Sequence, residues 1–573
     1  MKNLNKKIVL SGTFLYLVIS CMSQSTANLP NGSLAKKKLI YLGWEAPTTQ
    51  ILSKKFKMME ETSPFDGITL IIRDTIDGNL VHEDLFFSKH EIKREWLQKS
   101  LNRLKACKFK QFTDNFVRIT TVPESLSWAD DKAWATVCRN MGNLAWLAKE
   151  GGLKGIGYDP ESYSEKLFQW NPANGLSYTA SKKLARKRGR EMMTAIGKEY
   201  PDITFWGLFL LSLGRSALDS PNIDATFSAD VYALYPSFIN GMFDALPPDA
   251  KMVDGNEDAY YCPDREELLS LYTDCKNKLL QVVAPENKIK MQTQYSVGFG
   301  LYLDMYSNKT PEGRFYFGEQ NNRSRIERFR DRLQESIDIT DEYVWVYNER
   351  YRWWDIPYFD ERFNSIKTDS LWKDLFPLIN DYVQYAINPI SFISSVLDKG
   401  KKINGNLIVN STFDVKTEKA KNVIDWNNKN CPPGYLMWCA DTARGGIDLV
   451  PNEGVNKTAC AKITKDKCDL IQQIKVIPGE QYVIAVDGKK AGGEMNFGIF
   501  WMDSYKNLVR WYQWKYFSFQ PVKDNSWSRA VGVVAVPDDI SSMELLIIPQ
   551  FFNTSDIFWI DNIRVYPLNE FFK

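Results

Sequence analysis

From Lys38 to about Asn388 the chain repeats one rhythm: a short apolar run, a turn, then a longer stretch with apolar residues every three to four positions. Short Val-, Ile-, Leu- and aromatic-rich runs bounded by Gly, Pro, Asn or Asp read as strands, and the amphipathic stretches between them as helices. Eight runs are predicted as strands: Lys38–Pro47, Gly67–Asp74, Asn115–Glu124, Gly155–Tyr163, Ile203–Ser212, Lys251–Tyr261, Lys288–Gly300 and Tyr343–Trp354. Helices are predicted between them, such as "TASKKLARKRGREMMTAIGKEY" and "VYALYPSFINGMFDALP", the second ended by Pro247-Pro248. Strands alternating with helices build parallel sheets. Eight such units close a (β/α)8 barrel, so an α/β TIM barrel is expected over residues 38–395.

The rhythm changes after "DSLWKDLFPLINDYVQYAI". Residues 396–406 read as a linker. Residues 407–573 alternate in short, turn-rich segments without long amphipathic helices, which predicts an all-β sandwich. At the other end, Lys2, Lys6 and Lys7 precede the apolar "IVLSGTFLYLVIS", too short to span a bilayer and of signal-peptide length. Residues 1–20 are therefore expected to be a signal peptide, and the polar residues 21–37 a tether.

Charge adds little to this picture. With 72 Lys+Arg against 70 Asp+Glu there is no broad field for nucleic acid or an anionic membrane surface, and nucleic acid is not an expected partner. The one dense basic run, Lys182 to Arg190, lies within a helical pattern and reads as a solvated face. Histidine prunes the chemistry further: His82 and His90 are the only two, in one charged segment, which disfavours a Ser-His-Asp triad or a multi-histidine zinc site. Neither a metal nor another catalytic cofactor is expected, and acid and base work falls to carboxylates, tyrosines and lysines. The 18 Trp, 27 Tyr and 32 Phe exceed what core filling usually demands, and flat ring faces suit sugar rings. Eight of the nine cysteines lie beyond Cys21, with no CxxC pair, and an exported setting would permit disulfides whose pairing the spacing leaves open.

Barrel active sites assemble at the C-terminal ends of strands, so acids there are read first as functional. Glu45 follows the first predicted strand, Asp159 and Glu161 the fourth, Asp254 and Glu257 the sixth, and Glu349 the eighth. Asp159, Glu161, Glu257 and Glu349 are the candidate catalytic groups, with Glu257 the preferred proton donor and Glu349 its alternative. Glu45 and Asp254 are candidate substrate contacts. Trp44, Tyr158, Tyr163, Trp206, Tyr260, Tyr295, Tyr347, Trp353 and Trp354 are candidate walls of a cleft. Two carboxylates suffice to hydrolyse a glycosidic bond, one protonating the leaving oxygen and the other serving as nucleophile or base.

Four resemblances sharpen these readings. Val18-Ile19-Ser20-Cys21 resembles the lipobox of bacterial lipoproteins, which implies lipidation at Cys21, with membrane attachment only through that lipid, at the cell surface or in the periplasm; an ordinary signal peptide cut near Ser25 to Ala27 is the alternative. "KGIGYDPESY" resembles the fourth-strand motif of family eighteen chitinases, whose Asp-x-Glu matches Asp159 and Glu161, although Lys154 and Gly157 stand where that motif has earlier acids. A fourth-strand Asp with a sixth-strand acid, Glu257 or Asp254, also resembles the α-galactosidase clan and endo-α-galactosaminidases. "NLIVNSTFD", "IQQIKVIPGEQYVIAVDGK", "FGIFWMD" and "FWIDNIRVYP" resemble the jelly-roll carbohydrate-binding modules of families four, nine and twenty-two. That likeness implies a jelly roll over the last 160 or so residues, a structural calcium and exposed ligand-binding aromatics, for which Trp438, Trp501, Trp511, Trp514 and Trp527 are available. The reading these features support is an exported glycoside hydrolase with a glycan substrate; the alternative is a surface glycan-binding lipoprotein whose barrel has lost catalysis.

Overall fold

The computed structural model describes residues 36–573 apart from 122–125, 162, 164–165, 309–315, 320–322, 358–369, 415–431, 433, 440–446, 465–467, 503–507, 511–516 and 519–524. Cys21 with the signal and most of the tether, the end of the third predicted strand, Cys431, Trp511 and Trp514 lie outside the described residues, as do the side chains of Trp438, Cys439 and Cys468.

Nine strands form one parallel sheet: β1 (Lys38–Gly43), β2 (Gly67–Leu70), β5 (Phe116–Thr120), β6 (Gly155–Asp159), β7 (Thr204–Gly207), β8 (Lys251–Asp254), β9 (Tyr295–Val297), β10 (Phe299–Tyr302) and β11 (Tyr343–Asn348). Their spatial order is β10-β11-β1-β2-β5-β6-β7-β8-β9. Only Gly298 separates β9 from β10. β9 pairs with β8 and β10 with β11, so the sheet runs nearly all the way round. Helices fill the connections, and their starts are legible: Thr48, Asp130, Ser177 and Asp264 each accept a backbone N–H as N-caps, and Ser324 with Glu327 forms a capping box. Close strand contact needs small residues at one point in particular, because a Cβ on Gly155 would sit 1.8 Å from the Thr204 carbonyl oxygen.

Three predicted strands need correction beyond their ends. Arg73 and Asp74 leave the second strand for a hairpin, β3 (Arg73–Ile76) with β4 (Asn79–His82), turned by Asp77 and Gly78 at φ 50° and 79°. That Asp-Gly pair is the usual signature of a tight hairpin. Lys288–Gln294 is a helix and not the start of a strand. The alternating Ile289 and Met291 imitate a period of two, but Ile289 is exposed and only Met291 is buried. Residues Glu257–Tyr261 form a 3₁₀ turn after β8, so the sixth strand ends at Asp254. The basic run lies on the helix Tyr178–Glu199, where Lys182, Arg186, Lys187 and Arg188 pair with Asp224, Asp244, Asp131 and Glu191. Its charge is thus locally neutralised.

The C-terminal region holds two antiparallel sheets. One contains β12 (Leu436–Cys439), β15 (Cys468–Lys475), β21 (Ser542–Gln550), β17 (Glu494–Met502) and β18 (Leu508–Arg510), with β19 (Phe517–Ser518) also on β17. The other orders β13 (Ile447–Val450), β14 (Cys460–Ile463), β22 (Ile557–Pro567), β16 (Gln481–Ala491) and β20 (Ser528–Ala535). Leu470, Phe497, Trp501, Leu545, Phe558 and Ile560 belong to one core of these sheets, so Trp501 is a core residue and not an exposed ligand platform. A second apolar cluster joins this region to the barrel's last helices: Tyr385, Phe392 and Ile393 pack with Val483, Tyr566, Phe571 and Phe572. Arg330 lies over both the Tyr385 and Phe572 rings and donates to Gln481. Among the described residues Cys107, Cys138, Cys262, Cys275 and Cys460 are free thiols, and no helix is long and apolar enough to cross a membrane.

Candidate active site

Side chains alternate across a strand, and in a barrel that parity separates the lumen from the helix layer. Trp345 on β11 meets Trp206 on β7 with ring centroids 5.5 Å apart, and Trp206 meets Phe116 on β5 at 5.3 Å. β7 and β11 are not neighbours in the sheet, so these rings cross the lumen. Trp345 therefore fixes the inward parity of β11, which carries on through Tyr347 to Glu349. On β6 a Cβ added to Gly157 would point at Trp206 and Phe116, so Gly157 faces inward, and Asp159 two residues on does the same.

Asp159, at the tip of β6, is 6 % exposed. It accepts hydrogen bonds from the backbone N–H of Glu161 at 3.0 Å and from the Tyr163 hydroxyl at 3.2 Å. The same hydroxyl donates to the half-buried Glu161, so one tyrosine ties both acids. Burial, reinforced by the charge of Glu161, pushes the Asp159 carboxyl up to about 7. Glu257 opens the 3₁₀ turn after β8, a turn entered through Asn256 at φ 50°. Burial holds its carboxyl well above the ordinary glutamate range, and the charges of Glu161 and then Asp159 add to that. Three of the four predicted catalytic acids thus share one electrostatic neighbourhood.

Glu349 stands on the other side of an aromatic group. It accepts from the Tyr347 hydroxyl at 2.7 Å, and that hydroxyl accepts from the Trp44 indole N–H at 2.6 Å. The Tyr347 ring stacks at 6.1 Å on Tyr260 and lies 5.0 Å from Tyr302, and Tyr260 and Tyr302 are 5.6 Å apart. Tyr260 follows Glu257 by three residues, so this wall spans from Glu257 to Glu349. Beneath it, fully buried Asp304 accepts from the backbone N–H groups of Glu349 at 2.8 Å and Arg350 at 3.1 Å, which fixes the turn carrying Glu349. Burial raises the Asp304 carboxyl to about 7.

Other predicted substrate contacts occupy the opposite parity. Glu45 is wholly buried and accepts from the Tyr41 hydroxyl, the Trp353 N–H at 2.9 Å and the Asn348 side chain at 3.3 Å. Asp254 is equally buried, accepting from Ser212 Oγ at 2.6 Å, the Ser212 N–H at 2.8 Å and the Tyr295 hydroxyl at 2.5 Å. Both carboxyls are raised by burial, and both are rim ties whose acceptors the protein already fills. Tyr295 is spent on Asp254. The Tyr158 hydroxyl accepts from Thr121 Oγ1 at 2.8 Å, Trp353 packs on Tyr41 and Phe65, and Trp354 donates to the Met59 carbonyl; these rings are core and not cleft wall. Trp206 is 2 % exposed on the lumen floor, and its indole nitrogen has no hydrogen-bond partner among the described residues. Sequence reasoning passed over Tyr302, whose ring completes the wall with Tyr260 and Tyr347.

No family model and no curated protein matches the chain. Solved structures similar to part of it include the enzymatically active domain of tailspike protein 4 of bacteriophage CBA120, at 14 % identity and TM-score 0.22 over 28 % of this chain and 21 % of that one. The CBM22-1–GH10 modules of Clostridium thermocellum xylanase 10B, complexed with xylohexaose, match at 17 % identity and TM-score 0.21 over 28 % of each chain. A family 16 carbohydrate-binding module matches at 19 % identity and TM-score 0.21 over 28 % of this chain and 99 % of its own. At these scores the likenesses decide neither fold nor function.

Proposed function

We propose that the chain is a glycoside hydrolase acting on a polysaccharide or glycan at the C-terminal mouth of a (β/α)8 barrel. Counting β9 and β10 as one strand kinked at Gly298 gives eight, and a barrel domain of residues 38–395 followed by a linker and a jelly roll over 407–573 agrees with the two sheet systems. The observation that carries the reading is the convergence of Asp159, Glu161 and Glu257, with Tyr163 bridging two of them, beside a wall of Trp44, Tyr260, Tyr302 and Tyr347. Ring faces hold the sugar. Glu257, whose carboxyl is raised by burial and then by the charges of Glu161, Asp159 and Asp258, donates its proton to the leaving oxygen. Glu161 supplies the negative charge opposite, as nucleophile or as base toward water, and Asp159 holds it in place through its backbone N–H.

The N-terminal signal, lipidation at Cys21 and attachment to a bacterial membrane at the surface or in the periplasm belong to the same proposal. So does glycan binding by the C-terminal sheets. The structural calcium implied by the jelly-roll resemblance belongs to the proposal as well.

Incubation with a glycan panel and analysis for new reducing ends tests the proposal. Cleavage is expected, with Glu257→Gln and Glu161→Gln lowering turnover by about 10²–10⁴ while the fold persists. Ligand bound but left uncut would favour a glycan-binding protein, and unchanged turnover in both variants would remove the assignment.

A further inference from the structure

Between the tip of β8 and Glu257 the chain turns sharply, and Gly255 and Asn256 make the turn. Gly255 is gripped at both ends: its N–H donates to the Gly207 carbonyl at 2.8 Å, and its own carbonyl accepts from the Trp345 indole N–H at 2.9 Å. A Cβ there would lie 2.7 Å from the Gly207 carbonyl oxygen and 2.9 Å from the Trp206 indole nitrogen, so the close approach demands glycine. Asn256 is fully buried and left-handed, at φ 50° and ψ 78°. Its backbone N–H donates to Asp254 at 3.2 Å, and its carbonyl accepts from the Ala259 N–H at 3.2 Å. Its side-chain Nδ2 donates at 3.1 Å to Sγ of Cys275, a fully buried thiol on the helix Arg265–Asn277. Its Oδ1 has no hydrogen-bond partner among the described residues.

For stability alone asparagine is a poor choice here. Glycine enters the left-handed region without strain, and a buried amide oxygen left unpaired works against folding. Strain of this kind persists where the surrounding structure holds a functional geometry. What the side chain adds is a tie from the back of the turn to a helix, one residue before the acid. We infer that Asn256 is a positioning residue for Glu257, its amide hooked on Cys275 and its N–H on Asp254, so that Glu257 leaves the turn in one fixed direction. This deepens the active-site reading and rests on it, since there Glu257 is the proton donor. Asp254, already held by Ser212 and Tyr295, then serves the site from behind as an anchor of the same turn.

The test reads the Glu257 titration without substrate, from its carboxyl infrared band identified by difference against Glu257→Gln. The groups facing Glu257 are Glu161, Asp159, Asp258, Tyr163 and Tyr260, and a carboxyl released from its place loses their influence together with its burial. Asn256→Gly keeps the backbone conformation and removes the hook. Its Glu257 midpoint is expected to fall by about one pH unit, and kcat on a cleaved glycan by about 10- to 100-fold with KM within a few fold. Its thermal unfolding midpoint should stay within about 3 °C of wild type. Cys275→Ala should lower the Glu257 midpoint in the same direction, whereas Cys275→Ser, which keeps an acceptor for Nδ2, should leave that midpoint at the wild-type value. An unmoved Glu257 midpoint in Asn256→Gly overturns the inference, and a loss of stability in its place marks Asn256 as merely structural. A Cys275→Ser midpoint equal to that of Cys275→Ala overturns the hook on the thiol. Because the midpoint needs no turnover, a chain that cleaves nothing would fail the proposed function and still decide this question.

Discussion

Replacing Asp159 with Asn should make the protein more stable at pH 8 and hardly change it at pH 4. The carboxyl titrates at about 7 in the folded chain against an ordinary 3.8, a shift of about 3 units. At about 1.36 kcal/mol per unit, the buried carboxylate costs the folded state up to about 4 kcal/mol once fully ionised. Solvent screening does little to reduce this, since the residue is 6 % exposed. Asparagine keeps an acceptor for either the Glu161 N–H or Tyr163 but weakens one of the two bonds, about 1 kcal/mol, which leaves a net gain of about 2–3 kcal/mol. The sign follows from proton binding: between pH 3.8 and about 7 the folded state keeps a proton that the unfolded state has released, so wild-type stability falls as pH rises through that window. The variant lacks this titration. Urea unfolding followed by tryptophan fluorescence at pH 4, 5.5, 7 and 8 should show the two proteins diverging as pH rises. A difference that is constant with pH, or a variant less stable at pH 8 than at pH 4 relative to wild type, would refute the assignment of a strained carboxylate at this position.

Further outcomes follow from the same geometry. Glu161→Gln should lower the Asp159 midpoint, because the Glu161 charge is the second cause of its elevation; carboxylate infrared titration checks this. Glu45→Ala should cost about 2–4 kcal/mol by stranding the Tyr41 hydroxyl and the Trp353 N–H, while kcat per folded molecule stays within a few fold of wild type, measured by denaturation and turnover together. Tyr347→Phe removes both the donor to Glu349 and the acceptor for Trp44, and KM for a cleaved glycan should rise more than kcat falls.

The strand-helix rhythm made the barrel-like sheet legible, because buried parallel strands write themselves as apolar runs between turn residues. Two places misled. The Asp77-Gly78 turn has Ile76 before it and Leu80-Val81 after it, but Arg73, Asp74, His82 and Glu83 cut these apolar positions short, so two four-residue strands merged in the pattern with the end of the second barrel strand. Ile289 and Met291 carried a strand-like spacing on a surface helix, where exposure of Ile289 is a cost that no sequence pattern displays. The site was legible by position more than by side. Collecting every acid at a strand end gathered Asp159 and Glu349 with Glu45 and Asp254, yet one step of parity sends the first two into the lumen and the last two to the outer side of the rim, where protein donors occupy them. Counting back to an inward aromatic such as Trp345 would have made that separation. Asp304 was out of reach, since its role depends on a turn brought near only by the fold.

The apolar junction of Tyr385, Phe392, Phe571 and Phe572, pinned by Arg330, bears on how the molecule would search a polymer. A module on a loose leash samples a volume, and its effective concentration at a second site is set by leash length. Here the two sheet systems meet through packed rings and an ion-over-ring contact, which gives one fixed offset in place of a volume. Under the proposed function, a glycan gripped by the C-terminal sheets would therefore reach the barrel mouth in one register or not at all, and polymer length would act as a threshold instead of a gradual influence.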